Sequence, residues 1–118
     1  MVHYTRDFLL REGREIVCRD RVAFDRPRRL AWLFHGFRNE GVVRENATTA
    51  RFGSAPWVRI TARPAGTTLE LAVRETPVVW SYASAQGFRP FDHARFETRT
   101  PVTAVTVDFV LTWKGTVS

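Results

Sequence analysis

His35, His93 and Cys18 are the side chains whose chemistry can reach beyond packing. His35 follows Leu30-Ala31-Trp32-Leu33-Phe34 and precedes Gly36. Strict alternation sets it on one face with Leu33, opposite Trp32 and Phe34. An imidazole near a strand end can bind a metal, take a proton or contact a sugar; it can equally hydrogen-bond its neighbours at the surface. No HxH, HxxxH or CxxC pattern accompanies it, so spacing alone displays no complete metal site. His93 lies in Phe91-Asp92-His93-Ala94-Arg95-Phe96-Glu97-Thr98-Arg99, where His93, Arg95, Glu97 and Arg99 alternate onto one charged face. That face suits either a stripe of contacts to an anion or a solvated surface closed by cross-strand ion pairs. Arginine fits the first reading because its planar fork donates two parallel hydrogen bonds to a carboxylate or sulfate.

The aromatic side chains allow a carbohydrate-stacking reading. Trp32 and Trp113 occupy core-facing slots of their alternating segments, so packing explains them. Trp80 and Tyr82, beside Pro77 on a candidate edge strand, are the better stacking residues. Cys18 alternates with Ile16 and has no general base near it in sequence, which fits a small buried hydrophobe. A single cysteine also excludes an internal disulfide and a cysteine-rich zinc module. Asn46-Ala47-Thr48 matches a glycosylation sequon, read here as chance. No Gly-rich phosphate loop, serine nucleophile elbow or paired-carboxylate motif is present.

Period-two alternation runs through almost the whole chain and must position these residues on strands. It is clearest in 104–113, where Val105, Val107, Phe109, Leu111 and Trp113 share one face. Phe8–Arg11, Glu15–Arg19, Arg29–Phe37, Thr48–Phe52, Trp57–Arg63, Thr67–Arg74, Val78–Tyr82 and His93–Arg99 read the same way. Turns are expected at Glu12-Gly13-Arg14, Asp25-Arg26-Pro27-Arg28, Arg63-Pro64-Ala65-Gly66 and Gln86–Pro90. Eight or nine short strands in 118 residues predict a single all-β domain, an antiparallel β-sandwich.

Composition narrows the partners. Lys114 is the sole lysine among 18 basic residues, and the formal net charge is +6. Such a surface favours anions, although the arginines are scattered rather than clustered. No RNP-like or helix-turn-helix pattern supports nucleic acid, and no apolar run is long enough to span a bilayer as a helix. Residues 1–7 lack the apolar stretch of a secretory leader.

The segments Val17-Cys18-Arg19-Asp20-Arg21-Val22, Asp25-Arg26-Pro27-Arg28-Arg29-Leu30 and Trp32-Leu33-Phe34-His35 together resemble the C-terminal β-sheet region of the heparinase II/III-like polysaccharide lyases. There, a strand of the form vvvDrv, a short turn and a WxxH strand follow one another. Tyr4–Leu10 is similar to the strand preceding them, and Phe96-Glu97-Thr98 to a step near the family's C-terminal end. The resemblance implies a β-sandwich that partners an α/α toroid. It implies β-elimination on uronic-acid-containing polysaccharides: a base removes the C5 proton, a tyrosine or histidine serves the leaving oxygen, and the uronate charge is neutralised.

In some members the WxxH histidine, here His35, helps bind a structural zinc. The family's upstream HxH pair, toroid and catalytic tyrosine have no match in this chain. The expectation is therefore a domain of a larger lyase, or a short relative, supplying scaffold and part of the substrate site. On its own it is expected to be inactive and to carry no cofactor. His93, Arg95, Arg99, Trp80 and Tyr82 are the expected contacts to acidic polysaccharide. The alternative is a non-catalytic module for acidic glycans or other anions. Family members are commonly periplasmic or secreted, and exposed edge strands make a homodimer an expected option.

Overall fold

The computed structural model of the protein describes residues 3–11, 13, 15–35, 41–53, 57–76 and 91–114. Nine strands follow in order: β1 (His3–Arg11), β2 (Glu15–Arg28), β3 (Ala31–His35), β4 (Val42–Arg44), β5 (Thr49–Phe52), β6 (Trp57–Ala65), β7 (Leu69–Thr76), β8 (Phe91–Thr98) and β9 (Val102–Lys114). They form a six-stranded sheet in the order β1-β2-β9-β6-β5-β4 and a three-stranded sheet in the order β3-β8-β7. Every pairing among these strands is antiparallel. The architecture is the all-β sandwich that the alternation predicts. No helix of the described residues is long and apolar enough to cross a membrane.

Alternation decides which side chains meet between the sheets. Cys18 and Val22 from β2, Ile60 and Ala62 from β6, and Val105, Val107 and Phe109 from β9 form one inner layer. Trp32 from β3, Leu69 and Leu71 from β7, and Ala94 and Phe96 from β8 form the other. Phe109 is the meeting point. Its ring centroid lies 5.6 Å from Trp32, 5.0 Å from Phe34 and 5.5 Å from Phe96. All three arrangements are inclined, as the aromatic quadrupole prefers. A second, smaller apolar contact lies on the outer face of the large sheet, where Val17 pairs with Val110 and both are buried.

Two expected turns are strand instead. Asp25–Arg28 continues β2, past a register shift between Ala23 and Arg28, after which Arg28 pairs with Val102. Such an irregularity lets Pro27 lie in a strand without supplying a ladder donor. Likewise, β6 runs on through Pro64 to Ala65. Its neighbour β5 begins only at Thr49, opposite Thr61, so Pro64 sits where β6, among the described strands, pairs only with β9. The chain turns one residue later, at Gly66, whose φ of 83° suits glycine. Gly13, at φ 91°, serves the expected β1–β2 hairpin in the same way. The short β4 was not expected. The candidate strand Val78–Tyr82 and the loop Gln86–Pro90 lie outside the described residues.

Buried Thr98 extends the β3–β8 ladder by one residue beyond Ala31. Its hydroxyl accepts from the Leu30 N–H at 2.9 Å, and its own N–H donates to the Leu30 carbonyl at 2.9 Å.

Because Phe109 joins rings from both sheets, Phe109→Ala is expected to lower unfolding free energy by about 3–5 kcal/mol. Urea denaturation measures it. A loss under about 1 kcal/mol would mean the sheets do not interlock there.

Candidate functional site

The outer face of the three-stranded sheet gathers three of the predicted site residues. On β3, Trp32 and Phe34 point to the core, which turns Leu33 and His35 outward. On β8, Ala94, Phe96 and Thr98 point inward, which puts His93, Arg95 and Glu97 on the opposite face, where Arg95 and Glu97 are half-buried and His93 is buried. The register then places His35 opposite His93 and Leu33 opposite Arg95. The two imidazole centroids are 5.4 Å apart, inclined at 48°. On the other side, β7 sets Arg74 opposite His93 and Glu70 opposite Glu97.

Glu97 organises the charges of this face. Arg95 Nε donates to Glu97 Oε2 at 2.9 Å, and Arg29 Nη2 lies 3.1 Å from Oε1. The Arg95 hydrogen bond holds the Glu97 carboxyl below the ordinary carboxylate range, against a smaller opposing effect of desolvation. Arg29 and Arg74 add to the lowering. On this face Arg95 and Arg29 share one carboxylate, and His35, His93 and Arg74 occupy neighbouring register positions. Such a surface can meet the carboxylates or sulfates of an extended polymer.

Arg99 does not join this cluster. It lies in the turn beyond β8, where its N–H donates to the Thr68 carbonyl at 3.2 Å. At about 3.4 Å rise per residue it is roughly 20 Å along the strand from His93. It left the predicted face because β8 ends at Thr98. Trp80 and Tyr82 lie outside the described residues. Trp32 is core, as expected; Trp113, expected there too, is only half-buried. Trp57 is also half-buried, and the Arg59 guanidinium stacks 4.1 Å from its ring centroid.

His35 and His93 are two imidazoles, whereas a structural zinc takes four ligands. Among the described residues, no group of three His, Cys, Asp or Glu side chains is gathered for a metal ion. These residues therefore do not fit a zinc centre by themselves.

Sequence reasoning missed the strongest polar feature of the molecule. Asp20 is 0% exposed and lies on the core face of β2, in phase with Cys18 and Val22. Arg6 grips it with Nε to Oδ1 at 2.7 Å and Nη2 to Oδ2 at 2.7 Å. The Tyr4 hydroxyl donates to Oδ2 at 3.1 Å, the Trp32 indole N–H donates to Oδ2 at 3.0 Å, and the Cys18 thiol lies 3.6 Å from Oδ1. Burial pushes the Asp20 carboxyl up. Arg6 above all, with Tyr4 and Trp32, outweighs that and holds it below the ordinary range. The available signal was a carboxylate in phase with an apolar face.

The same network governs Cys18, which is buried as expected. Burial first, then the Asp20 charge, pushes its thiol up to about 11. A reactive or ligating cysteine needs the opposite shift.

Two outcomes follow. A carboxyl whose folded pKa is depressed stabilises the fold fully above its unfolded value, about pH 3.9, and loses that contribution as pH falls through the folded value. Asp20→Asn should therefore cost about 2–3 kcal/mol at pH 7, and its gap from the unsubstituted chain should narrow towards pH 3. Urea midpoints at both pH values measure this. Alkylation of Cys18 by iodoacetamide at neutral pH should be at least about a hundredfold slower in the folded than in the urea-unfolded chain.

No protein-family model matches the chain, and no curated protein matches it.

Proposed function

We propose that this chain is the β-sandwich domain of a heparinase II/III-like polysaccharide lyase. Its own part is to hold an acidic polysaccharide on the outer face of the three-stranded sheet. One observation carries the reading: the register that sets His35 beside His93, with Arg95 and Arg74 as neighbours on the same face. The WxxH resemblance singles out His35, and the charged pattern of β8 singles out His93 and Arg95. These independent signals converge on adjacent strands.

The chemistry asked of this face is charge neutralisation. β-Elimination builds negative charge beside a uronate carboxylate, and donors at that carboxylate stabilise the transition state. Arg95 and Arg74 offer forked donors for it. Glu97 keeps Arg95 oriented along the strand, as a positioning residue. Proton abstraction and leaving-group protonation belong to the toroid of the larger enzyme. In this reading the sandwich binds and orients.

The test is a binding panel of heparin, alginate, hyaluronan, a neutral glycan and single-stranded DNA, each at low and physiological salt. One uronate polymer should be retained selectively at physiological salt. Arg95→Ala and His35→Ala should each weaken that retention, Arg95→Ala by about tenfold. Arg21→Ala, on the outer face of the other sheet, should leave it unchanged. Uniform binding that disappears with salt would reduce the +6 charge to non-specific attraction and overturn the proposal.

A further inference from the structure

We infer that two copies of this chain pair edge to edge along β1, with a two-fold axis at Leu9. The inference is independent of the polysaccharide reading and rests on one strand. Among the described residues, β1 is hydrogen-bonded only to β2 and forms one edge of the large sheet. Its nine residues pair with β2 without interruption, from His3 opposite Ala23 to Arg11 opposite Glu15. It contains no proline and no bulge, the usual devices that blunt an edge. The opposite edge of that sheet, β4, has only three residues.

Among the described residues, β1 also carries four of the seven exposed large hydrophobics, Tyr4, Phe8, Leu9 and Leu10. Phe8 is 69% exposed, Leu9 54% and Leu10 76%. Phe8 lies opposite Cys18 and Leu10 opposite Ile16, so both stand on the inner face of the sheet, beyond the cover of the smaller one. Leu9 lies opposite Val17 and belongs to the outer face. An occupant must therefore cover both faces of one strand. A strand added alongside does that, and a partner lying on either face alone does not.

Charge selects the occupant and the register. An axis normal to the sheet pairs residues of equal parity across an antiparallel junction. An axis at Asp7 would oppose two carboxylates. An axis at Phe8 would set Asp7 against leucine, and Arg6, already committed to Asp20, against leucine too. An axis at Leu9 sets Leu9 against the partner's Leu9 and Phe8 against the partner's Leu10. It also sets Asp7 against the partner's Arg11; the Leu9 pair lies on the axis and occurs once, and the other two pairs each occur twice. Phe8, Leu9 and Leu10 are all covered in that one register. Asp7 meets Arg21 of its own chain at 3.3 Å, with both side chains more than half exposed. Its carboxylate retains lone pairs for a second arginine. The overlap is short, so the interface belongs to the small class, below roughly 1,200 Å², and association depends on concentration.

Sedimentation velocity of the 118-residue chain, over two decades of concentration, tests this. A monomer–dimer equilibrium is expected. Leu9→Lys should abolish it by setting two ammonium groups at the axis. Asp7→Arg should weaken it at least about tenfold, because four arginines then face one another in two pairs. Asp7→Arg combined with Arg11→Asp should restore it, because the pairing is reversed within the same register. Thermal melts report that each variant stays folded. In a separate oxidation, Leu9→Cys should form an intermolecular disulfide, since its two copies face each other directly. Leu33→Cys, exposed on β3, should not. The inference is overturned by a chain that stays monomeric throughout, by association that survives Leu9→Lys, or by failure of the double exchange to restore what Asp7→Arg removes.

Discussion

The sandwich depends on a carboxylate buried where an apolar residue would ordinarily stand. Moving a charge out of water costs several kcal/mol, and the cost is offset only when the surrounding donors are well placed. Around Asp20 they come from three strands: Tyr4 and Arg6 on β1, Cys18 on β2 itself and Trp32 on β3. The first two hold β1 to its neighbour through side chains as well as backbone. The indole N–H crosses between the sheets. A tryptophan in a wholly apolar core would leave that N–H without a partner, so Asp20 and Trp32 each satisfy what the other lacks. Arg6 leads the network outward, because its side chain is 42% exposed while Asp20 is fully enclosed.

This arrangement fixes more than stability. Trp32 can reach Asp20 only when β3 lies with Trp32 and Phe34 inward. That choice alone turns Leu33 and His35 to the outside. A slip of one residue in β3 would bury His35 and expose the tryptophan, losing the indole bond together with the contacts to Phe109. The exposed His35 imidazole, beside the buried His93, is thus positioned by a hydrogen bond in the interior. Many arginines elsewhere are occupied by the protein's own carboxylates: Arg19 by Asp108, Arg59 by Glu45 and Arg29 by Glu97. The net charge therefore overstates what the surface can offer a ligand, and position within the sheets matters more than count.

Much of this was legible in the sequence because period-two alternation is a direct image of the pleat. The inward set of β9, the burial of Cys18, the outward turn of His35 and the shared face of His93, Arg95 and Glu97 all follow from it. What escaped were features that depend on pairing partners. Pro27 and Pro64 read locally as turns, yet an irregular register and a shortened neighbour make strand positions for them. Arg99 continues the alternation, but β8 stops one residue earlier, where Thr98 bonds to Leu30. That His35 faces His93 is a matter of register between strands far apart in sequence, which alternation does not encode. Asp20 was visible as an anomaly within an apolar face, whereas its donors, contributed by strands on either side in sequence, were not.

The position of β9 also bears on how the chain reaches this state. It lies at the centre of the large sheet, between β2 and β6, and supplies Phe109 to the shared core, yet it is the last of the nine strands in chain order. During synthesis β2 emerges long before the strand that must lie against it. Until then, the pairings between strands close in sequence are the β1–β2 hairpin and the β4-β5-β6 meander. Closing a loop of nearly the whole chain sets a high contact order, and such topologies fold slowly. The ribosome must deliver both β2 and β9 before the large sheet closes. Meanwhile the inner face of β2, with its charged Asp20, meets water rather than apolar neighbours. A carboxylate there keeps the waiting hairpin less adhesive than a continuous apolar stripe would.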